Sequence, residues 1–362
     1  MQTNRKARAV IAAGGTGGHL FPAGEVKKAL LDRGFEVYLI TDARGKKFAR
    51  GFTNIRVITG GQWSGEGFWH RLKSLAKLSV GLAQSMYHML KIQPKVAIGM
   101  GGYISVPVVL WAWMLRRRTV IHNADAVLGN ANMLLARFAD ATCVSFENTK
   151  GIPKGVKPIV TGLPIREDIR KAADAPYAST REKISIAVMG GSQGAQIFSY
   201  AVPEAIAMLP PEIREKLSVR QQVVEEDVRA VETLYEKIGV KADIQSFFPD
   251  PAPILAGCSL FIGRAGASTV LEVGTIGRPA VFVPINHKDR QQFLNASQIA
   301  ARGGAMIIQQ SEFSAQSLAR VLAHIFEIPN LLENMQKKSK IFDVSNDAAK
   351  RVADIAARTI PL

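Results

Sequence analysis

Ala9-Val10-Ile11-Ala12-Ala13-Gly14-Gly15-Thr16-Gly17-Gly18-His19 carries a short apolar strand straight into a glycine cluster, and Ile186-Ala187-Val188-Met189-Gly190-Gly191-Ser192-Gln193-Gly194-Ala195 repeats the device later in the chain. Each segment reads as strand, Gly-Gly, a hydroxyl residue, one further residue and Gly, followed by a helical pattern, so one architecture is used twice. Outward from the first copy, residues 36–40, 56–58, 96–98, 119–121 and 141–145 read as buried strands. Helical patterns at 22–33, closed by Gly34, and at 68–91, ended before Pro94, separate them. Residues 163–182, with Pro164, Pro176 and mixed charge, read as a linker. The pattern then restarts with strands at 184–189, 218–222, 243–247, 260–262, 280–283 and 305–308, helices at 196–209 and 225–238, and a helical C-terminus from Leu331. The expectation is an α/β protein of two Rossmann-like, doubly wound lobes facing a cleft, residues 1–162 and 183–340, with a helix in 341–362 returning to the first lobe. Ligands of such sheets sit beyond the carboxyl ends of the strands, where both glycine loops fall.

A chain of 362 residues, 47% hydrophobic and 21% charged, supports two cores of ordinary size. Cys143 and Cys258 are far apart in sequence and in no metal-ligand spacing, so neither a disulfide framework nor a zinc site is suggested. The basic N-terminus leads into too short an apolar run for a signal peptide or a spanning helix, so a cytoplasmic protein is expected. The net charge of +16 is unevenly placed. Residues 1–165 hold 23 Lys and Arg against 8 Asp and Glu, and the remainder 23 against 22. A first half at +15 points to an anionic partner, a nucleic acid or a phosphate-bearing lipid surface.

A glycine turn from strand into helix exposes backbone N–H groups at the positive end of the helix dipole and lets a diphosphate approach closely. The bland reading is a tight turn and nothing more. Asp42 lies near the spacing of a ribose-binding carboxylate, but Leu20 stands where the dinucleotide fingerprint needs a small residue. No Gly-Lys-Ser/Thr follows either cluster, which excludes a Walker loop. His19 opens a helix, where the dipole favours the neutral imidazole that a general base requires. In the second half, Arg264-Ala265-Gly266-Ala267-Ser268-Thr269-Val270-Leu271-Glu272 follows a strand and opens a helix. Glu272, one turn in, can accept both hydroxyls of a ribose, or it can simply favour the helix dipole as Ser268 caps it. His287-Lys288-Asp289-Arg290-Gln291-Gln292 follows the next strand, with paired amides suited to polyol recognition.

Together with Pro22, Gly99-Met100-Gly101-Gly102-Tyr103 and the segments above, these motifs closely resemble the bacterial cell-wall glycosyltransferases of family 28, which add N-acetylglucosamine to undecaprenyl-pyrophosphoryl-N-acetylmuramoyl-pentapeptide. The resemblance covers nearly the whole chain. It implies the type B glycosyltransferase fold, with acceptor and membrane on the first lobe and the UDP-sugar mainly on the second. Carried over by motif, Ser192 and Arg166 contact the diphosphate region, Phe248 meets uracil through its backbone, and Glu272 holds the ribose. Ala267, Ser268, Thr269, Val270, Leu271, Gln291 and Gln292 surround the sugar, and Thr16, Gly17, Gly18 and Asp125 complete the donor set. Gly14, Gly15, Tyr103 and Asn123 serve the acceptor, and His19 is the preferred base. The chain departs from the family twice. His122-Asn123-Ala124-Asp125 stands for His-Glu-Gln-Asn, and Gly162-Leu163-Pro164 for Gly-Asn-Pro.

Trp69, Trp113, Arg116, Arg117 and Arg118 combine interfacial aromatics with cations, which suits an anionic membrane, although the apolar run 108–115 also reads as a buried crossover helix. No nucleic-acid motif accompanies the charge, so nucleic acid is not expected. No Asp-x-Asp occurs, so no metal cofactor is suggested. The implied partners are UDP-N-acetylglucosamine, the lipid-linked muramoyl acceptor, an anionic membrane surface and cell-wall assembly proteins, at the cytoplasmic face of the inner membrane. Rival readings are a transferase for another lipid acceptor, a UDP-N-acetylglucosamine epimerase, and a non-catalytic scaffold.

Overall fold

The computed structural model describes residues 6–15, 17–47, 49, 51–60, 68–177, 183–191, 196–341 and 347–358, with residues 68–78 described by backbone alone. It divides into two compact units, Met1–Arg166 with Asn346–Leu362, and Glu167–Ser345.

The first unit is built on β1 (Arg8–Ala12), β2 (Glu36–Thr41), β3 (Ile55–Val57), β4 (Val96–Gly99), β5 (Arg118–Asn123), β6 (Ala141–Val144) and β7 (Ile159–Val160). All pair in parallel in the order β3-β2-β1-β4-β5-β6-β7. A strand buried on both faces reads as a continuous apolar run, and β1 shows why. Ala9 and Ile11 pack with Leu20, Ala23, Val26 and Leu30 of the helix Gly17–Asp32 and with Val352, Ala353 and Ala356 of the helix Ala348–Ala357. Val10 and Ala12 face Met89 and Ile92 of the helix Phe68–Ile92 and Val108 and Ala112 of the helix Ser105–Met114. The C-terminal helix is fastened to this unit by polar contacts too. Arg33 pairs with Asp354 at 2.5 Å, and Arg118 Nε donates to the Ile355 carbonyl at 2.9 Å.

The second unit repeats the plan with β8 (Ile184–Met189), β9 (Leu217–Gln222), β10 (Lys241–Gln245), β11 (Leu260–Gly263), β12 (Ala280–Phe282) and β13 (Ala305–Ile307), again parallel, in the order β10-β9-β8-β11-β12-β13. In each sheet the strand order reverses beside its first strand, between β1 and β4 and between β8 and β11. That reversal opens the crevice used by ligands in doubly wound folds. Register brings the strand ends level there, with Ala12 opposite Gly99 and Met189 opposite Gly263.

Three local expectations change. The helix expected from Pro22 begins at Gly17, because burial of Leu20 and Ala23 against the sheet draws the glycine pair into its first turn and leaves Pro22 inside. It ends as the sequence suggests, with Gly34 at φ +80° and the Phe35 N–H on the Leu30 carbonyl at 3.1 Å. The stretch 163–182 holds a short helix, Glu167–Ala172. Its mixed charge is ordered, acidic in the first turn and basic in the last, as the helix dipole favours, with Ile169 buried beneath. The helix expected over 225–238 divides into a 3-10 turn, Glu225–Asp227, and the helix Val228–Lys237.

Candidate functional site

At the switch point of the first unit, the loop after β1 and the loop after β4 close on each other through glycine. A Cβ on Gly14 would stand 2.9 Å from the Ile104 side chain, and one on Gly101, at φ +101°, would stand 3.1 Å from the His19 ring. Ser105, fully buried, fixes the second loop by sharing its one hydroxyl proton between the Ala12 and Gly101 carbonyls, 3.1 and 2.9 Å away. His19 is left half-buried at the seam, its Nδ1 3.2 Å from the Gly14 carbonyl. A carbonyl only accepts, so Nδ1 is the donor, and the neutral ring with that tautomer has its lone pair on Nε2, as a general base needs.

Asp42, whose spacing suggested a ribose partner, braces this loop instead. Its buried carboxylate accepts the N–H groups of Gly15 at 3.2 Å and Gly45 at 2.7 Å. Arg44 lies beside it, Nε 3.6 Å from the carboxylate, and donates to the Tyr103 hydroxyl. Its Nη2 lies 3.3 Å from where a Cβ on Gly15 would stand.

On β5, His122 is buried and its Nε2 donates to the Gly162 carbonyl at 2.9 Å. Burial pushes its pKa down to about 4, opposed by the Gly162 bond and reinforced by the nearby His19. Asn123, expected among the acceptor contacts, has its amide fully engaged within the protein. Nδ2 donates to the carbonyls of Asp125 at 2.7 Å and Val127 at 3.0 Å, while Oδ1 accepts from the Gly129 N–H at 3.2 Å and Asn132 Nδ2 at 3.1 Å. The side chain braces the loop that carries half-buried Asp125. Arg166 rests over the Phe21 ring at 5.3 Å.

At the second switch point, Gly190 and Gly191, the latter at φ +86°, leave β8. Ser192 and Thr16 lie outside the described residues. Past β11, the N-cap of the helix Ala267–Ile276 is Gly266 rather than Ser268. Ser268 Oγ is buried with no hydrogen-bond partner among the described residues, and Thr269 and Glu272 are half-buried. Val270 and Leu271 point fully into the core, which leaves only their backbone for a ligand. Arg264 Nη1 donates to the Val283 carbonyl at 3.0 Å, and Asn295 Nδ2 to that of Ala265 at 3.2 Å. Gln292 Oε1 accepts the N–H groups of Ala265 at 3.3 Å and Ile285 at 3.0 Å. Gln292 therefore offers a ligand its amide donors and not its acceptor, whereas the Gln291 backbone N–H is capped by Asp289 Oδ1 at 3.2 Å. Phe248 is buried, so it too can meet a base only through its backbone, while the neighbouring Phe247 is 65% exposed.

Residues 9–144 match the glycosyltransferase family 28 N-terminal domain, and residues 185–358 match the family 28 C-terminal domain. The UDP-N-acetylglucosamine--N-acetylmuramyl-(pentapeptide) pyrophosphoryl-undecaprenol N-acetylglucosamine transferase of Acidiphilium cryptum (strain JF-5) is 40% identical over 357 residues, covering 97% of this chain and 96% of its own. The protein of the same name from Brucella abortus (strain S19) is 39% identical over 352 residues, 96% of this chain and 93% of its own. This chain belongs to glycosyltransferase family 28. The crystal structure of Acinetobacter baumannii MurG superposes with a TM-score of 0.77 at 29% identity, covering 97% of this chain and 99% of that one. The fold is therefore the type B glycosyltransferase fold, and the chain is a glycosyltransferase. A UDP-N-acetylglucosamine 2-epimerase from Listeria monocytogenes, described as putative in its structure and 13% identical with a TM-score of 0.66, shares the fold alone.

In this family 28 enzyme the expected membrane residues separate. Trp113, 49% exposed, lies 5.5 Å from Phe138 between ring centroids, with Met114 and Leu134 exposed nearby. Arg116 and Arg117 are also exposed. Arg118 is not of this set, because it opens β5 and its guanidinium caps the C-terminal helix at Ile355. Trp69 lies on the helix Phe68–Ile92, with its side chain outside the described residues. Among the described residues no helix is long and apolar enough to cross a membrane, and no three His, Cys, Asp or Glu gather as metal ligands. The sequence motifs did not single out Arg44. Asp42-Ala43-Arg44 sits at a strand end next to the switch point, and that position was the available signal.

Proposed function

We propose that this enzyme transfers N-acetylglucosamine from UDP-N-acetylglucosamine to the 4-hydroxyl of undecaprenyl-pyrophosphoryl-N-acetylmuramoyl-pentapeptide, with inversion at the anomeric carbon. The observation that carries the reading is end-to-end identity of about two residues in five, through both domains, with proteins named for this transfer. The geometry supports it. His19, with Nδ1 protonated by its bond to Gly14, takes the hydroxyl proton on Nε2 as oxygen attacks the anomeric carbon. The glycosyl–phosphate bond breaks and UDP leaves with the electron pair. Arg166, Ser192 and the backbone N–H groups after β8 oppose the charge that develops on the diphosphate. Glu272 takes the ribose hydroxyls, the backbone at Phe248 takes uracil, and Ala267, Ser268, Thr269 and Gln292 surround the sugar, with Gln292 as donor. The exposed patch of Trp113, Arg116 and Arg117 holds the enzyme peripherally at the cytoplasmic face of the membrane that carries the acceptor.

The test incubates the protein with UDP-N-acetylglucosamine, with and without a short-chain muramoyl pyrophosphoryl lipid, and follows UDP release and product mass. Acceptor-dependent disaccharide is the expected result. Donor turnover without acceptor would indicate an epimerase, and disaccharide on a diacylglycerol instead would indicate another lipid transferase. His19→Ala should lower kcat by about 10²-fold or more while UDP affinity stays within error. Near-normal turnover in that variant would remove His19 from the role of base.

A further inference from the structure

A guanidinium held in place and still open to solvent is the part of the first switch point that the proposed reaction does not use. Arg44 is fixed from two sides, by the Asp42 carboxylate at 3.6 Å and by the Tyr103 hydroxyl. Asp42 is itself committed to the Gly15 and Gly45 N–H groups, and its side chain is 8% exposed against 54% for Arg44. Surface arginines rarely hold one orientation without a reason, because ordering the long side chain costs rotamer entropy. Here the bracing aims the planar fork at Gly15, on the same rim as His19. A Cβ at Gly15, where φ is +72°, would sit 3.3 Å from Nη2, so glycine there leaves the guanidinium and the loop backbone side by side. Tyr103 owes its place to the turn Gly101-Gly102, both at positive φ.

We propose that Arg44, positioned by Asp42 and Tyr103, binds the diphosphate of the acceptor and makes this enzyme selective for diphosphate-linked acceptors. The inference rests on the transfer reaction proposed above. A fork of N–H donors beside the carboxyl edge of the sheet matches phosphate oxygens in geometry and charge. The carboxylate behind it orients the fork without cancelling it, since Asp42 already accepts two backbone N–H groups.

Two acceptors separate this role from a structural one, a short-chain lipid pyrophosphoryl-muramoyl peptide and the corresponding neutral alkyl muramoyl glycoside. The wild-type enzyme should prefer the first. Arg44→Gln should raise the KM for the diphosphate acceptor about tenfold or more, with the donor KM unchanged and the KM for the neutral glycoside within twofold, so that the preference collapses. Arg44→Lys, which keeps charge but loses the fork, should lie between, and Tyr103→Phe should shift selectivity in the same direction by less. Equal losses on both acceptors, or a retained preference in Arg44→Gln, would overturn the assignment. If Arg44→Gln does not fold, the selectivity of Arg44→Lys and Tyr103→Phe decides alone. A wild-type enzyme that uses neither acceptor would instead defeat the transfer reading.

Discussion

His122 and Asn123 end the same strand, and both side chains spend their hydrogen bonds inside the protein. The imidazole of His122 is sealed from solvent and donates to Gly162, and burial brings its pKa down to about 4. In the unfolded chain the same group titrates near ~6.5. Between those values the unfolded state binds a proton that the folded state refuses, so stability is full above pH ~6.5 and falls as pH drops towards 4. The loss reaches on the order of 3 kcal/mol at the acid end. Denaturant unfolding at pH 7, 6, 5 and 4 should show this slope in the wild type and a flatter one in His122→Asn. Parallel slopes would assign the acid sensitivity elsewhere. Asn123 and Gln292 teach a related lesson about legibility. An amide in a motif announces hydrogen bonding, but only the surrounding backbone decides whether its lone pairs face inwards, and that backbone is brought near by residues distant in sequence.

The elements were readable wherever burial was two-sided. Strands β1, β4 and β11 are continuous apolar runs bounded by glycine or polar residues, and no helix could satisfy so short a pattern. The start of Gly17–Asp32 and the helix Glu167–Ala172 were not readable, because glycine, proline and mixed charge argue locally against helix while packing on the sheet argues for it. A further contact invisible in sequence holds the second unit's first segment. Arg278, 1% exposed, donates to the carbonyls of Leu255 at 3.2 Å and Ala256, which end the helix Ala252–Gly257, and to those of Ala175 and Pro176 at 3.4 Å. Its guanidinium also lies 5.3 Å from the Tyr177 ring centroid. No carboxylate is among these partners, so the cation is stabilised by the negative end of a helix dipole and by four carbonyls. Arg278→Met fills the space but strands those carbonyls, and should cost roughly 3 kcal/mol or more in equilibrium unfolding. A loss under ~1 kcal/mol would mean that water replaces the guanidinium.

At the scale of the whole molecule the charge asymmetry acquires a location. The first unit's sequence is strongly basic, yet several of those cations have internal duties. Arg8 pairs with Glu36, Arg33 with Asp354, and Arg118 caps the terminal helix, so the count of basic residues overstates how many cations stand free at the surface. Arg116 and Arg117 remain exposed beside Trp113 and Met114, at the end of a helix whose opposite face is core. An aromatic that reaches the headgroup boundary and cations that attract anionic lipid reinforce each other, the first by buried area and the second by long-range attraction. Sedimentation with vesicles should therefore show binding that grows with anionic lipid and weakens with salt. Arg116→Glu with Arg117→Glu should reduce the partition coefficient about tenfold or more, at about 1 kcal/mol for each basic residue removed from the surface. Trp113→Ala should weaken binding with little change in salt dependence, because it removes area and not charge. Arg118→Glu separates the two kinds of arginine. It should lower stability by loosening the C-terminal helix, and a charge reversal there that instead abolished vesicle binding while leaving stability intact would place the lipid contact on the strand and not on the exposed helix end.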